Sequence, residues 1–132
     1  MKEILDFLAE CKQFFLATDE DGQPRVRPMG IGFEYKGKLC MCTSNKKKLF
    51  AQIKANPRVE ICASNGSRWL RVAGKVSVNT ERAAKEKALE AAPKLKNMYK
   101  IDDGIFEILQ FESAVAVFFD MQMQGNSKEI KL

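Results

Sequence analysis

The chain contains no histidine, and this absence removes whole classes of mechanism. Without an imidazole there is no Ser-His or Cys-His catalytic dyad, and the commonest protein ligand for transition metals is missing. If the protein is an enzyme, a cofactor is therefore expected to carry the chemistry.

The four cysteines, at positions 11, 40, 42 and 62, do not form a recognised metal or redox motif. Cys40 and Cys42 are two residues apart on an apolar segment predicted to be a strand, so their side chains share one face. A zinc site or a dithiol would need C-x-x-C spacing instead. We predict reduced cysteines, with Cys40, Cys42 and Cys62 in the core, and no metal site. Packing is likewise predicted for the methionines Met29, Met41 and Met121–Met123.

Long apolar runs are also missing. The opening segment MKEILDFLAECKQFF is interrupted by Glu3, Asp6, Glu10 and Lys12, so it lacks the apolar core of a signal peptide. No run approaches the length that crosses a membrane. We expect a cytoplasmic protein that does not associate with a membrane.

The composition is that of an ordinary globular domain. Its 132 residues predict one domain over 1–132, and 45% are hydrophobic and 30% charged. The net charge of +5 suits an anionic ligand. It does not favour a nucleic-acid binder, because most phenylalanines lie within apolar runs rather than between basic residues.

Apolar spacing and turn residues predict a mainly β (α+β) fold, a mostly antiparallel β-barrel with attached helices. Helices are predicted at Lys2–Cys11, from the lysines of KKKLFAQIKANP, and through ERAAKEKALEA with Thr80 as its cap. Strands are predicted at Phe14–Thr18, Arg25–Tyr35, Leu39–Thr43, Val59–Ala63, Trp69–Val78, Ile105–Gln110 and Ala114–Asp120. Pro28 indicates an edge, a bulge or a break, and Gly74 a bulge or a close backbone approach.

The most informative segment is QPRVRPMGIGFEYKGKLCMCTSNKKK, from Gln23 to Lys48. Lys46, Lys47 and Lys48 open a predicted helix, at the end that already carries the positive pole of the helix dipole. A bound anion would remove this conflict, because free N–H groups and the dipole both favour phosphate there. The simpler alternative is a solvated helix start.

Arg25 and Arg27 alternate along a strand and so point to one face, toward which the lysines can converge. Together with the lysines they indicate a site for a phosphate-bearing cofactor. The alternative is that both arginines are edge-strand charges that discourage aggregation.

These segments resemble the pyridoxamine 5′-phosphate oxidase-like family of split-barrel flavin-binding proteins. The likeness is densest in PRVRPMG, LCMCTSNKKK, QIKANPRVEIC and WLRVAGKV, and their order and spacing make it specific. It implies a six-stranded antiparallel split barrel with attached helices, non-covalent FMN, and a homodimer with FMN at the subunit interface.

The resemblance also implies which residues bind the cofactor. Arg27 would lie near the flavin, and the backbone of Pro28 and Met29 would approach the ring, while Arg25 stays a candidate cofactor contact from the strand alternation alone. Thr43 would contact the cofactor, while Lys47 and Lys48 would hold its phosphate, assisted by Ser44 and Asn45. Trp69 would reach the flavin or, alternatively, belong to the core or the dimer interface. Arg71 lies on the same strand face, with a phosphate or partner-subunit role. The side chains of Met29 and Trp69 would supply apolar walls for the ring.

The likeness favours an FMN-dependent oxidoreductase that passes hydride or electrons to a small acceptor, with no catalytic residue assigned and the substrate unknown. True pyridoxamine phosphate oxidases have a longer C-terminal segment with arginine and histidine, which QGNSKEIKL lacks, so vitamin B6 oxidation is not expected. Haem degradation is disfavoured because the related haem-handling proteins commonly rely on histidine. The alternatives are a non-catalytic flavin-binding or redox-sensing module and a deazaflavin-dependent reductase.

Overall fold

The computed structural model describes residues 1–120, 122 and 127–132. The helices are α1 (Lys2–Cys11), α2 (Lys48–Ala55) and α3 (Arg82–Ala91), followed by a 3-10 helix at Pro93–Asn97. The strands are β1 (Phe14–Glu20), β2 (Gln23–Met29), β3 (Gly32–Tyr35), β4 (Lys38–Ser44), β5 (Arg58–Ser64), β6 (Arg68–Asn79), β7 (Phe106–Asp120) and β8 (Ser127–Lys131). The predicted mainly β, antiparallel α+β fold is confirmed. None of the helices described is long and apolar enough to cross a membrane.

All pairings among the described strands are antiparallel and join them into one sheet. The sheet runs in the order β2-β1-β5-β6-β7-β4-β3, and β8 pairs with β7. Its two end strands, β2 and β3, are consecutive in the chain and joined only through Gly30 and Ile31. The sheet therefore curls until its ends are neighbours, which gives a split-barrel-like shape.

The described part contains eight strands, two more than the six expected from the resemblance. One extra strand arises because the predicted strand Arg25–Tyr35 is divided, and the short break falls just after Pro28 and Met29. Another is β8, in a tail that had no clear periodicity. Its pairing with Val115–Phe119 orders it.

The segments Ile105–Gln110 and Ala114–Asp120 form one continuous strand of 15 residues, β7, rather than two. The pairing with β6 slips between Lys75 and Val76, so that Glu112 is an extra residue, a bulge. A bulge exchanges inward and outward positions, which explains the interruption of the apolar pattern. At this point a Cβ on Gly74 would lie 2.2 Å from the carbonyl oxygen of Ser113, which confirms the predicted close approach.

The side chain of Glu112 is bound at the bulge by three donors. Its carboxylate accepts hydrogen bonds from the Ser77 hydroxyl, from Gln110 Nε2 at 2.8 Å and from Lys38 Nζ at 3.1 Å. These bonds favour the ionised form and lower the pKa of Glu112 to about 2.

Buried side chains form two clusters. The larger fills the barrel and includes α1, α2 and the inward positions of most strands. The smaller lies between α3, the 3-10 helix and the outer side of β3, β4 and the first half of β7. Cys40 belongs to it and Cys42 packs against it, as their shared face predicts.

The four cysteines are free thiols, as predicted. Burial raises the pKa of both Cys40 and Cys42 to about 11. Cys62 is not in the core: it is half-buried and lies opposite Phe15 and Arg71, on the outer side of the sheet.

Thr80 is not the cap of α3. The N-cap is Glu81, whose N–H donates to Asn79 Oδ1 at 2.8 Å, so that Asn79 closes the turn instead.

Met29 and Met41 are buried in the core, as predicted. The prediction for Met121–Met123 falls on residues 121 and 123, which lie outside the described residues.

Candidate functional site

The start of α2 is shaped by the turn that leaves β4. Ser44 Oγ accepts the N–H of Lys46 at 3.1 Å, and the N–H of Lys47 donates to the Ser44 carbonyl, also at 3.1 Å. Lys47 is the N-cap of α2 and Lys48 its first helical residue, and no side chain caps this end. The helix therefore begins with exposed lysines, as the sequence predicts, and with first-turn N–H groups that no capping side chain satisfies.

The lysines at this helix end form no salt bridge within the described part of the chain, although the charge of Lys48 acts on the Glu20 carboxylate. Lys46, Lys47 and Lys48 are all exposed, and none of their ammonium groups forms a salt bridge or a hydrogen bond there. The first turn of α2 contains no acidic residue. Three cations at the positive pole of the dipole repel one another and the helix, and an anion is the group that would relieve both.

Thr43 lies just before this turn, with its side chain 2% exposed. Its hydroxyl is the one buried side-chain polar atom among the described residues that has no hydrogen-bond partner. A buried hydroxyl without a partner costs free energy, on the order of 1–3 kcal/mol. The unpaired hydroxyl is therefore an unusual feature at a position predicted to contact a cofactor.

The N–H groups of Asn45 are all used in hydrogen bonds within the protein. Its side-chain amide donates to the Gly104 carbonyl at 2.8 Å and to Glu107 Oε1 at 2.9 Å, and its N–H donates to the Ile105 carbonyl at 2.9 Å. Both amide hydrogens are used, so the atom left free is an oxygen, which cannot donate to a phosphate. The structure thus makes Asn45 a clamp between the turn and β7, not the expected phosphate ligand.

The two arginines of β2 share a face, as predicted, but they have different surroundings. Arg25 is exposed and pairs with Glu20, Nη2 to Oε1 at 3.0 Å. Arg27 is half-buried, and its guanidinium donates to Thr18 Oγ1 and to Gln52 Oε1, each at 2.7 Å. Burial lowers the pKa of Arg27, and the charge of Glu20 partly opposes that shift. An arginine retains its charge in such a setting.

Gln52 connects Arg27 to α2, and the sequence pattern did not single it out. It is 7% exposed and lies one helical turn after Lys48, on the side of α2 that also buries Leu49 and Ile53. Its amide donates to Glu20 Oε2 at 2.9 Å. The signal that could have found it is a polar residue on the apolar side of a short helix, because a buried glutamine has to find partners.

Pro28 and Met29 end β2. Pro28 is exposed and lies opposite Phe15, while Met29 is 9% exposed and packs in the barrel core. The prediction that the Met29 side chain forms a wall for a flat ligand is therefore wrong, since the strand alternation turns it inward. Only its backbone remains available there.

Trp69 is stacked on Phe119 of the neighbouring strand, with ring centroids 4.1 Å apart and planes 14° apart. The Arg71 guanidinium lies over both rings, at 5.2 Å and 5.0 Å from their centroids. Arg71 also pairs with Glu60 at 3.3 Å. The half-exposed indole is therefore part of an aromatic and cationic surface rather than of the core, and Phe119 is a member that the sequence did not indicate.

The aromatic surface and the turn before α2 flank opposite ends of β7. Ser44 pairs with Phe106 at the start of β7, whereas Trp69 pairs with Phe119 near its end. At about 3.3 Å per residue the length of strand between these two pairs is roughly 40 Å along the chain.

An apolar surface covers the outer side of β2, β1, β5, β6 and β7, and we call it the outer face. Directly paired residues of antiparallel strands point to the same side of a sheet, so the pairings identify its members. They include Val26, Pro28, Phe15, Ala17, Cys62, Trp69, Arg71, Ala73, Val115, Val117 and Phe119. Val26 is 63% exposed, Phe15 46% and Val115 36%. Large apolar side chains this exposed, on one side of a sheet, are typical of an interaction surface.

Residues 1–114 match the family described as pyridoxamine 5′-phosphate oxidase. No curated protein matches the chain at a significant level.

Among solved structures, the chain is similar to a NimC/NimA family protein from Clostridium acetobutylicum. The identity is 45%, over 100% of this chain and 93% of that chain, with a TM-score of 0.93. It also shares its fold with General Stress Protein 26 from Bacillus anthracis, at 16% identity over 99% and 97% of the two chains, with a TM-score of 0.79. A pyridoxamine 5′-phosphate oxidase-related, FMN-binding protein from Nostoc punctiforme has the same fold, at 15% identity over 99% and 93%, with a TM-score of 0.65.

Proposed function

The chain belongs to the pyridoxamine 5′-phosphate oxidase family, and from this premise we propose that it binds FMN and acts as an FMN-dependent oxidoreductase on a small acceptor. The observation that carries the proposal is the lysine cluster, Lys46–Lys48, which forms no salt bridge among the described residues and lies at a helix start that no side chain caps. The structural neighbour from Nostoc punctiforme is an FMN-binding protein, and that likeness supports the choice of flavin.

Phosphate fits the start of α2 on three grounds. The lysine ammonium groups form no salt bridge among the described residues, no side chain caps the first-turn N–H groups, and Ser44 keeps its own hydroxyl hydrogen free while its oxygen accepts from the N–H of Lys46. A phosphate monoester carries close to two negative charges, and charge-assisted hydrogen bonds to it are about twice as strong as neutral ones. We assign the phosphate to Lys47 and Lys48, with Ser44 as a donor.

The rest of the cofactor would run toward β2 and Thr43. The orphaned Thr43 hydroxyl supplies a hydrogen-bonding group that nothing in the described protein uses. Arg27 adds a further positive charge beside α2, to which Gln52 connects it. The backbone of Pro28 and Met29 is the part of β2 left to approach the ring.

We further propose that the protein is a homodimer with its outer faces in contact. Phe15, Val26 and Val115 would then be buried, and the exposed apolar area would be accounted for. Because Trp69 and Arg71 lie far along β7 from the lysines of their own chain, they would serve the flavin held by the partner copy. This arrangement would make each site depend on both chains.

The bound flavin would supply the hydride and electron chemistry. The protein would hold its phosphate at α2, orient it along β2 and cover one side of the ring with the stacked Trp69 and Phe119. We assign no proton-transferring residue, consistent with the lack of histidine. Solvent would supply any proton in this scheme, and a backbone N–H could assist by donating a hydrogen bond.

The test is a comparison of FMN affinity between the native protein and the Lys47→Gln/Lys48→Gln variant. A lysine–phosphate hydrogen bond contributes roughly 1.5–3 kcal/mol, so we expect FMN binding to weaken by that amount for each such bond that the substitutions remove. The control is Lys94→Gln/Lys96→Gln, which removes the same charge from two exposed lysines in the 3-10 helix. Equal FMN affinity in the two double variants contradicts the phosphate assignment.

Turnover needs a separate measurement. After FMN loading, the flavin absorbance is followed during reduction by a nicotinamide cofactor and during reoxidation by candidate acceptors. Reoxidation that depends on an added acceptor supports an enzyme. Stable FMN binding without such reoxidation favours the non-catalytic module instead.

A further inference from the structure

The guanidinium of Arg27 is held at one end only. Nη1 donates to Thr18 Oγ1 and Nη2 donates to Gln52 Oε1, each at 2.7 Å. The two acceptors are themselves 2.6 Å apart, because the Thr18 hydroxyl donates to Gln52 Oε1. Two parallel hydrogen bonds to adjacent acceptors are the bidentate arrangement in which arginine commonly binds a carboxylate. Here the oxygens of Thr18 and Gln52 occupy the positions of the two carboxylate oxygens.

These bonds leave a second edge of the guanidinium available to donate hydrogen bonds. Arginine has five N–H donors, and Nη1 is further used by the carbonyls of Leu16 at 3.1 Å and Arg25 at 3.3 Å. Nε has no acceptor in the part of the chain that the structure describes, and Nη2 has only Gln52. The edge formed by Nε–H and the second Nη2–H is thus a two-donor fork with no partner there. Arg27 is half-buried, so this edge is held in place rather than free in solvent.

The two residues that hold Arg27 are themselves fixed. Thr18 is 4% exposed and Gln52 is 7% exposed. Gln52 Nε2 donates to Glu20 Oε2 at 2.9 Å. A flipped amide would aim its NH₂ group at the guanidinium and its oxygen at the carboxylate, so only the observed orientation satisfies all three partners. Glu20 in turn pairs with Arg25, which completes the network.

Gln52 connects Arg27 to the helix that begins at the proposed phosphate position. Gln52 is one helical turn after Lys48, a spacing at which two residues are neighbours on a helix surface. The charge of Lys48 also contributes to lowering the pKa of Glu20, after the larger effects of the hydrogen bonds from Gln52 and Arg25. Lys48 and Gln52 line one pocket together with Glu20, and Arg27 reaches Gln52 from β2.

We propose that Gln52 and Thr18 are positioning residues. They accept hydrogen bonds from Nη1 and Nη2 of Arg27 and so orient its Nε–H and second Nη2–H toward the ligand phosphate. This inference rests on the proposed FMN function and adds two residues that make no contact with the ligand. A bidentate arginine and the lysines would together select flavins that carry a phosphate.

The experiment compares the affinities for FMN and for riboflavin, which lacks the phosphate, by titration of flavin fluorescence. Gln52→Met keeps the length and apolar body of the side chain but removes both polar groups, and Thr18→Val removes the hydroxyl at nearly constant shape. We expect each to weaken FMN binding at least about tenfold while riboflavin binding stays unchanged. Thr18→Ser restores the acceptor and should restore the preference for FMN. Gln110→Met, in the hydrogen-bonded network around Glu112, is the control for loss of a structural glutamine.

The outcomes separate the proposals. If Gln52→Met and Thr18→Val keep the native preference for FMN over riboflavin, the positioning role is wrong although FMN binding stands. If both variants lose FMN and riboflavin equally, the network has only a structural role, and the inference is also overturned. A native protein that binds neither flavin overturns the proposed function and this inference with it.

Discussion

Removal of Phe15 tests the proposed dimer directly. Phe15 is 46% exposed on the outer face and does not belong to the barrel core cluster, so Phe15→Ser should leave the folded chain intact. A phenylalanine buries about 200 Å² when it is fully covered, so the exposed part that a partner would cover is about 90 Å². At about 25 cal/mol per Å², this is about 2.3 kcal/mol for each subunit. A symmetric dimer contains the residue twice, so the expected loss is about 4.6 kcal/mol, or about 2,000-fold in the dissociation constant.

The assay is sedimentation equilibrium over a range of protein concentrations. Met98→Ser is the control, because Met98 is likewise an exposed apolar side chain, 63% exposed, but lies after the 3-10 helix and not on the outer face. We expect the native protein and the control to be dimers at concentrations where Phe15→Ser is monomeric. Circular dichroism of the variant checks that the fold is kept.

Two results would refute the reasoning. The native protein could sediment as a monomer at every concentration, in which case the outer face has another role. Alternatively, Phe15→Ser could dimerise as tightly as Met98→Ser, and the subunits would then meet through a different surface.

Three further outcomes are expected. Gly74→Ala should lower the free energy of unfolding by about 1–3 kcal/mol in urea titration, because its Cβ would overlap a carbonyl oxygen, whereas Gly30→Ala, with nothing within 4 Å, should cost far less. The pKa of Glu112 is about 2 in the fold against an ordinary 4.5, so its ionised form stabilises the protein above pH 4.5, and this contribution is lost as the pH falls toward 2. Glu112→Gln should therefore be less stable than the native protein at neutral pH, and the difference should shrink in acid; a constant difference contradicts the assignment. Burial raises the pKa of Cys42 to about 11, so in the native state at mildly alkaline pH iodoacetamide should modify it only on unfolding; rapid native labelling of Cys42 would show that the strand opens.

Local features of this fold were readable from sequence because their causes are local. The Lys36-Gly37 turn has positive φ at both residues, 48° and 77°, which is the backbone that glycine-containing hairpin turns adopt. The start of α2 at Lys48 follows from apolar spacing, and the placement of Cys40 and Cys42 on one face follows from strand alternation.

Features that depend on distant pairing were not readable. The bulge at Glu112 inverts the inward and outward positions of β7, so one strand has the pattern of two shorter ones. Trp69 meets Phe119 only because β6 and β7 are neighbours in that register. Neither residue spacing nor composition reveals which strands pair or in which register.

The candidate site could be predicted only in part, because some of its contacts are local in the chain and others are distant. The lysines and Thr43 are consecutive with β4, so their proximity follows from the chain itself. The roles of Asn45 and Gln52 depend on what lies across from them, the Gly104 region in one case and Arg27 in the other. A sequence motif identifies the residues of a site more readily than the partners that hold them.

The clamp made by Asn45 has a consequence for the order of folding. It joins the turn before α2 to Gly104, Ile105 and Glu107, which enter the chain some sixty residues later. Closing so long a loop carries a high entropic cost, which is recovered only when β7 pairs with β4. The lysine cluster therefore reaches its final geometry late, after the chain beyond residue 104 has been made. A nascent or truncated chain that ends before that point has the motif but not the site.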